Sequence, residues 1–172
     1  MVVDATDQDA PAIEALHREA FGGAAEAQLV AALRVAGACV FSRVARVDGW
    51  VVGHVVLSPV AIEAGAVGAG EPAEVLGVAP LAVLPAFQRR GIGAALMWGA
   101  LERSRLRGVA GLVLLGDPAY YRRFGFRPAR EFGLRCRWPG TEESFMALEL
   151  RPGGLASAPG LARYHEAFDA LD

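Results

Sequence analysis

Leu81-Ala82-Val83-Leu84-Pro85-Ala86-Phe87-Gln88-Arg89-Arg90-Gly91-Ile92-Gly93-Ala94-Ala95-Leu96 contains an apolar strand end, a basic turn with two glycines and the opening of a helix. The helical stripe is Ile92, Leu96, Ala100 and Leu101, and it runs out near Arg107-Gly108. Backbone N–H groups at a helix start have no acceptor inside the helix, and the helix dipole adds partial positive charge there. Gly91 and Gly93 allow that backbone to come close to an anion, while Arg89 and Arg90 add charge just ahead of it. Strand, Gly-rich turn and helix in that order point to an anionic, nucleotide-like ligand. The plainer alternative is a structural turn with solvated arginines.

Upstream, an apolar run from Val75 to Leu84 is interrupted by Gly77 and Pro80. It predicts a buried strand with an irregular ladder, because proline removes a backbone donor. Before it, residues 63–72 are small, Gly-rich and without period, which predicts a flexible loop between strands. Further back, residues 40–47 and 50–57 are rich in valine, and Asp48-Gly49 between them supplies the two positive-φ residues of a type I′ hairpin. Two helices precede the hairpin. The first starts at Pro11, carries Ile13, Leu16, Ala20 and Phe21, and stops at Gly22-Gly23. The second carries Ala25, Leu29, Ala32, Leu33 and Ala36, with Gly37 as its stop.

Downstream, residues 110–115 form a short buried strand, and Gly116-Asp117-Pro118 turns into a one- or two-turn helix that holds Tyr120 and Tyr121 and ends at Gly125. Strand-like segments follow near Leu134 to Trp138 and Ser144 to Leu150. A Pro/Gly-rich connection then leads to an amphipathic tail around Tyr164 to Leu171. There is no internal repeat and no domain boundary. The expectation is one domain over residues 1–172, with a core at about 2–150 and a C-terminal extension from about 151.

Composition limits the function classes. With 172 residues, 53% hydrophobic and 21% charged, the chain can bury a sizeable core. Seventeen Lys+Arg against 19 Asp+Glu leave a net charge of -2, so no global basic field draws nucleic acid or anionic membrane. No basic stretch followed by an apolar run opens the chain, and no segment reaches the roughly 18 apolar residues of a membrane span. A cytoplasmic protein is therefore expected. Cys39 and Cys136 have no metal-ligand spacing with each other or with the histidines, so no metal is expected and both read as core thiols.

Neighbouring phosphate motifs do not fit. No GxxxxGK[ST] loop occurs, and Gly91-Ile92-Gly93 lacks the third position of a complete dinucleotide fingerprint. Gln88-Arg89-Arg90-Gly91-Ile92-Gly93 instead resembles the acetyl-CoA loop, Q/R-x-x-G-x-G/A, of the GCN5-related N-acetyltransferase (GNAT) superfamily. The run Leu115-Gly116-Asp117-Pro118-Ala119-Tyr120-Tyr121-Arg122-Arg123-Phe124-Gly125-Phe126 is similar to its YhbS-type subgroup. The resemblance covers about Val2 to Leu150. It implies an α/β (α+β) fold with a central mixed, mostly antiparallel sheet, flanked by helices and splayed between the fourth and fifth strands.

The resemblance also implies roles. Backbone groups of Leu81, Ala82 and Val83 would pair with the pantetheine arm of acetyl-CoA as if it were an added strand. Residues Gln88, Arg89, Arg90, Gly91, Ile92, Gly93 and Ala94 would hold the pyrophosphate. Tyr121, four residues before Gly125, would be the general acid that protonates the departing thiolate; a phenol with a reference pKa of about 10 has the proton available. Tyr120 is the alternative acid, since adjacent helical residues point about 100° apart. A primary amine would attack the thioester directly, its oxyanion held by a backbone N–H from the Leu81 to Val83 region. Glu74, Glu63, Glu71 and His54 are the candidate bases. The asparagine that many members carry after the fifth strand is replaced by Gly116-Asp117-Pro118, and Asp117 reads as a helix cap.

Three function classes stand side by side: an acetyl-CoA-dependent N-acetyltransferase, a catalytically silent acyl-CoA-binding or regulatory protein on the same scaffold, and a protein-interaction domain using the C-terminal segment. A homodimer is expected only by analogy with the superfamily. Elsewhere the residues read as structural. His17 reads as a surface or boundary residue, and Trp50, Trp98 and Trp138 as core or boundary packing. Arg103, Arg105 and Arg107 read as a solvated face, and Tyr164 and Phe168 as a helical packing pair.

Overall fold

The computed structural model describes residues 1–64, 73–155 and 160–171, so most of the Gly-rich stretch, 65–72, lies outside the described residues. The chain divides into two compact units. Residues 1–58, 79–103 and 165–172 make the first, and residues 59–78 and 104–164 make the second. Two long strands, β3 (Trp50–Ala64) and β4 (Val75–Val83), contribute one part to each unit.

In the first unit, β1 (Val2–Asp4) pairs antiparallel with β2 (Phe41–Val47), and β2 pairs antiparallel with β3. The β2–β3 hairpin turns at Asp48 (φ 49°) and Gly49 (φ 83°), the two left-handed residues that a type I′ turn requires. Helix α1 (Ala10–Phe21) has Pro11 in its first turn and ends on Gly22 in the left-handed conformation. Helix α2 (Ala25–Val35) packs against it. Ile13, Leu16, Leu29 and Leu33 face inward with 3% exposure or less. Each such aliphatic side chain contributes about 1.5–3 kcal/mol by leaving water.

In the second unit, β4 pairs in parallel with β5 (Gly111–Leu115) over three positions only, Val75 with Gly111, Leu76 with Leu112 and Gly77 with Val113. On its other edge β5 pairs antiparallel with β8 (Phe145–Glu149) along its whole length, and β8 pairs with the two-residue β6 (Arg127–Pro128). Strand β9 (Gly160–Tyr164) pairs antiparallel with the end of β3 and parallel with β7 (Leu134–Cys136). Val60, Val75, Val113, Leu134, Phe145 and Leu155 form the heart of this unit's core. The short β4–β5 ladder fits a splay at that point. The fold is α/β, a mixed and mostly antiparallel sheet flanked by helices.

Several sequence expectations are corrected. Tyr164 closes a strand, β9, rather than pairing with Phe168 along a helix. Gly160 and Ala162 are buried while Arg163 is exposed, a period of two that the aromatic spacing of Tyr164 and Phe168 hides. Only Glu166–Leu171 is helical, as a 3₁₀ segment. Trp50 and Trp98 are 77% and 49% exposed, so neither packs in the core. Arg103 and Arg107 are tied to Asp4 and Glu74, both at 2.9 Å, rather than merely solvated. Among the described residues, no helix is long and apolar enough to cross a membrane.

Candidate active site

The basic turn lies in the first unit. A 3₁₀ turn, Pro85–Phe87, follows β4 and leads through Gln88 to helix α3 (Ile92–Arg107). Arg89 (φ 58°) and Gly91 (φ 81°) both adopt left-handed backbone, uncommon for a bulky side chain such as arginine. The Gln88 side chain folds back, its Nε2 donating to the Val83 carbonyl at 3.1 Å, which ties the turn to the end of β4. Gln88, Arg89, Arg90 and Gly91 are all exposed. The first helical bond runs from the Ala95 N–H to the Gly91 carbonyl at 2.9 Å, which leaves the amides of Ile92, Gly93 and Ala94 ahead of the ladder. The Arg90 guanidinium rests 5.4 Å from the Phe87 ring centre. A helix start whose first three amides have no helical acceptor, with two arginines just ahead of it, is an arrangement chemically suited to an anion.

What holds that helix start down is a residue the motif does not contain. Gly53, near the start of β3, sits where a Cβ would lie 2.9 Å from Leu96 Cδ1, 3.0 Å from Ile92 Cγ2 and 3.3 Å from the Ala82 carbonyl oxygen. The sequence signal is present, a lone glycine in a valine run, which often marks close backbone approach. Within β4, Ala82 is buried and Leu81 and Val83 are half-buried. The Ala79-Pro80 peptide bond just before them is cis.

Tyr120 and Tyr121 lie in the second unit, on the four-residue helix α4 (Pro118–Tyr121). Asp117 caps it, as expected, its carboxylate accepting from the Ala119 N–H at 2.9 Å. A 3₁₀ turn continues to Phe124, and Gly125 (φ 93°) ends it. The Tyr121 ring is enclosed by aromatic neighbours: edge-on to Tyr120 at 4.9 Å and to Phe126 at 5.9 Å, and tilted against Phe124 at 6.3 Å. Burial, with Tyr120 beside it, pushes the Tyr121 phenol up to about 12. Burial also raises Tyr120, but there the Arg123 guanidinium, 4.5 Å from the ring centre, works the other way. Tyr121 is thus held firmly neutral by its burial.

The other candidates are committed elsewhere. Both Glu74 carboxylate oxygens accept from Arg107 Nε, at 2.9 and 3.1 Å, and Glu63 pairs with Arg163 at 2.8 Å. Glu71 lies outside the described residues. His54 is fully buried, its Nδ1 2.8 Å from His17 Nε2 and its Nε2 2.9 Å from the Ser42 hydroxyl. His17 is fully buried too, stacked on Phe21, and so is not a surface residue. Burial drags His17 down to about 4 and His54 to about 3, so both rings are neutral. Cys39 and Cys136 are free and half-buried rather than core thiols; Cys136 Sγ lies 3.1 Å from the Thr141 hydroxyl. Among the described residues, no cluster of three His, Cys, Asp or Glu side chains could hold a metal ion.

Comparison with known proteins bears on this geometry. An acetyltransferase (GNAT) domain model matches residues 36–128. The chain is 43% identical over 162 residues to the uncharacterized N-acetyltransferase YhbS of Escherichia coli K12, covering 94% of this chain and 93% of that one. A crystal structure of YhbS from Escherichia coli in complex with CoA superposes with a TM-score of 0.91 at 40% identity, covering 98% of this chain and 91% of the other. A GNAT family acetyltransferase from Brucella melitensis, in complex with acetyl-CoA, superposes with a TM-score of 0.78 at 36% identity, covering 98% and 97%.

Proposed function

The chain belongs to the GNAT acetyltransferase family, and from that premise we propose that it transfers an acetyl group from acetyl-CoA to a primary amine by direct attack on the thioester. The observation that carries this reading is the exposed start of α3, where left-handed Arg89 and Gly91 turn the chain so that the Ile92, Gly93 and Ala94 amides stand without helical acceptors. Two relatives with this fold bind CoA or acetyl-CoA, which supports the same ligand here.

In this reading the loop from Gln88 to Ala94 takes the pyrophosphate, with Arg89 and Arg90 supplying charge and the helix dipole adding to it. Backbone groups of Leu81, Ala82 and Val83 receive the pantetheine arm as an added strand. The amine nitrogen attacks the thioester carbon, and a backbone N–H of that strand end stabilises the oxyanion. As the carbon–sulfur bond breaks, the sulfur becomes anionic, and Tyr121 gives it a proton. A neutral phenol suits this step because it carries its proton throughout neutral pH and can donate as negative charge develops on the sulfur; solvent then returns a proton to the phenol. The amine loses its own proton to solvent, since Glu63 and Glu74 are held in ion pairs and His54 is buried and paired with His17.

Calorimetric titration with acetyl-CoA tests the reading, run beside the Arg90→Ala/Gly91→Asp variant. Saturable binding by the wild type, weakened at least about 100-fold in the variant, is the expected result. It reflects a lost guanidinium contact, a carboxylate facing phosphate and a side chain forced into left-handed backbone. Absence of binding by well-folded wild type would sink the proposal.

A further inference from the structure

We propose that Gly116 is a positioning residue for the reaction: its bare α carbon is the seat on which the Tyr121 ring is held. This rests on the acyltransfer reading and adds to it a residue that acts through Tyr121 rather than on the substrate. A Cβ built at Gly116 would run into the Tyr121 ring at Cε2, with Cδ2 at 2.7 Å and Cζ at 3.3 Å. The φ of Gly116 lies outside the left-handed region, so the requirement is for space, not for backbone freedom. Real Cβ atoms do not approach ring carbons this closely, so any side chain here displaces the phenol.

The seat is fixed from both directions. Gly116 leaves the end of β5 with its N–H donating to the Ser144 carbonyl at 3.0 Å, which continues the β5–β8 pairing one residue further. The next residue, Asp117, accepts from the Tyr120 and Tyr121 N–H groups at 3.0 and 3.1 Å through its carbonyl, and from Ala119 through its side chain. The chain therefore folds straight back, so that the fifth residue after Gly116 lies over it. Tyr120, Phe124 and Phe126 pack against the ring from other sides. With three aromatic rings against it and glycine beneath, the half-buried Tyr121 side chain is held in place by packing. A proton donor locked in this way needs no reorganisation at the moment of transfer, and a displacement near 1 Å can cost about 100-fold in rate. Glycine makes the seat and aspartate caps the helix that delivers the ring to it.

The test is the Gly116→Ala variant, read in three ways. First, the protein has three tyrosines, so 13Cζ-tyrosine labelling gives three ring signals, assigned with the Tyr120→Phe and Tyr121→Phe variants. Gly116→Ala should shift the Tyr121 signal and move its titration from about 12 back toward the ordinary phenol value, leaving Tyr164 unmoved. Second, thiol release from acetyl-CoA is followed with spermidine, glucosamine and an alanine-initiated peptide as amine probes. The variant's kcat should fall about 10- to 100-fold while acetyl-CoA affinity changes by less than about twofold, and the loss should vanish in the Tyr121→Phe background. Third, in case Gly116→Ala folds poorly, the Gly116→Ala/Tyr121→Ala pair removes the ring that clashes and should regain the Tyr121→Ala midpoint in urea. An unmoved Tyr121 signal, or a kcat loss that persists in Tyr121→Phe, overturns the proposal. So does a displaced ring with unchanged kcat. Failure of the wild type to bind acetyl-CoA overturns the acyltransfer reading itself, while the ring signal still decides whether Gly116 seats Tyr121.

Discussion

Each of the two units buries titratable rings, and burial acts on them in opposite directions. In the first unit the His17–His54 pair is pulled down to about 4 and about 3; in the second, Tyr121 is pushed up to about 12. The physical cause is the same, since low polarity disfavours a charge, whether imidazolium or phenolate. At neutral pH the result is also the same, three neutral rings. Their chemistry differs because of what surrounds them. The imidazoles face each other, one on α1 and one on β3, and His54 reaches the Ser42 hydroxyl with its other ring nitrogen. Tyr121 stands at the end of a strand, on a four-residue helix, in a cage made of rings and one glycine. A large shift in pKa therefore marks burial; only position turns it into function.

The largest effect that separates the two units is on turnover. Tyr121→Phe removes the proposed acid and keeps the ring, so kcat should fall about 100- to 1,000-fold, roughly 3–4 kcal/mol, with acetyl-CoA affinity unchanged. Tyr120→Phe should change kcat by less than about tenfold, and a reversed order would hand the role to Tyr120. The pH profile sharpens the point. Because the Tyr121 pKa is raised from the ordinary 10 to about 12, the acid stays protonated and competent across neutral and moderately alkaline pH. The stabilisation linked to this shift is fully present below pH 10 and is lost as pH rises from 10 through about 12. A wild-type kcat profile that falls away near pH 8 through loss of a single proton, and keeps that limb in Tyr120→Phe, would contradict this assignment.

The two units were also unequally legible in the sequence. The loop of the first unit is local chemistry: consecutive residues from Gln88 to Ala94 carry the charge, the turn and the helix start, and short-range rules reach all of them. The β2–β3 hairpin was readable for the same reason, its Asp48-Gly49 turn being encoded in two adjacent residues. Gly53 was visible only as an interruption of a valine run and Gly116 only as a turn residue, because what each one makes room for arrives from elsewhere, from α3 in one case and from a returning helix in the other. The His17–His54 contact joins residues 37 apart on a helix and a strand, which no spacing rule anticipates. Likewise Tyr164 looked helical because its spacing from Phe168 was read without the strand that it closes. Pairings that close long loops are set by the whole fold, and periodicity does not report them.

A middle-sized effect belongs to the histidine pair and should appear in stability rather than in turnover. Both folded-state pKa values lie below the ordinary 6.5. Above pH 6.5 neither state takes up these protons and the pair is silent. Below it the unfolded chain binds them and the folded chain does not, so stability falls as pH drops toward about 4. At pH 5 the loss is about 2 kcal/mol per ring. Urea unfolding at pH 7 and at pH 5 should therefore show a steeper acid loss in the wild type than in His17→Leu/His54→Phe. Equal losses in the two proteins would remove the pair as the source. The variant's kcat per folded molecule should match the wild type at pH 7, and a drop would break the contrast between the units.

The smallest effect tests whether β3 couples these features through its two faces. Alternation along the strand places Gly53 toward α3 and His54 toward α1. Gly53→Ala adds one methyl group where Leu96 Cδ1 and Ile92 Cγ2 already lie about 3 Å away, and the Ala82 carbonyl, a backbone atom, cannot rotate aside. The helix start must therefore lift slightly from the strand, at a cost of about 1–3 kcal/mol in stability. The Ile92, Gly93 and Ala94 amides move with it, so acetyl-CoA affinity should weaken about three- to tenfold while the acid limb set by His54 keeps its slope. Gly23→Ala is the control, since a Cβ there meets nothing within 4 Å, and it should stay within about 0.5 kcal/mol of the wild type. If Gly53→Ala lost stability with no change in acetyl-CoA affinity, the seating of α3 on β3 would be packing alone, and the phosphate cradle would owe its shape to Arg89 and Gly91 instead.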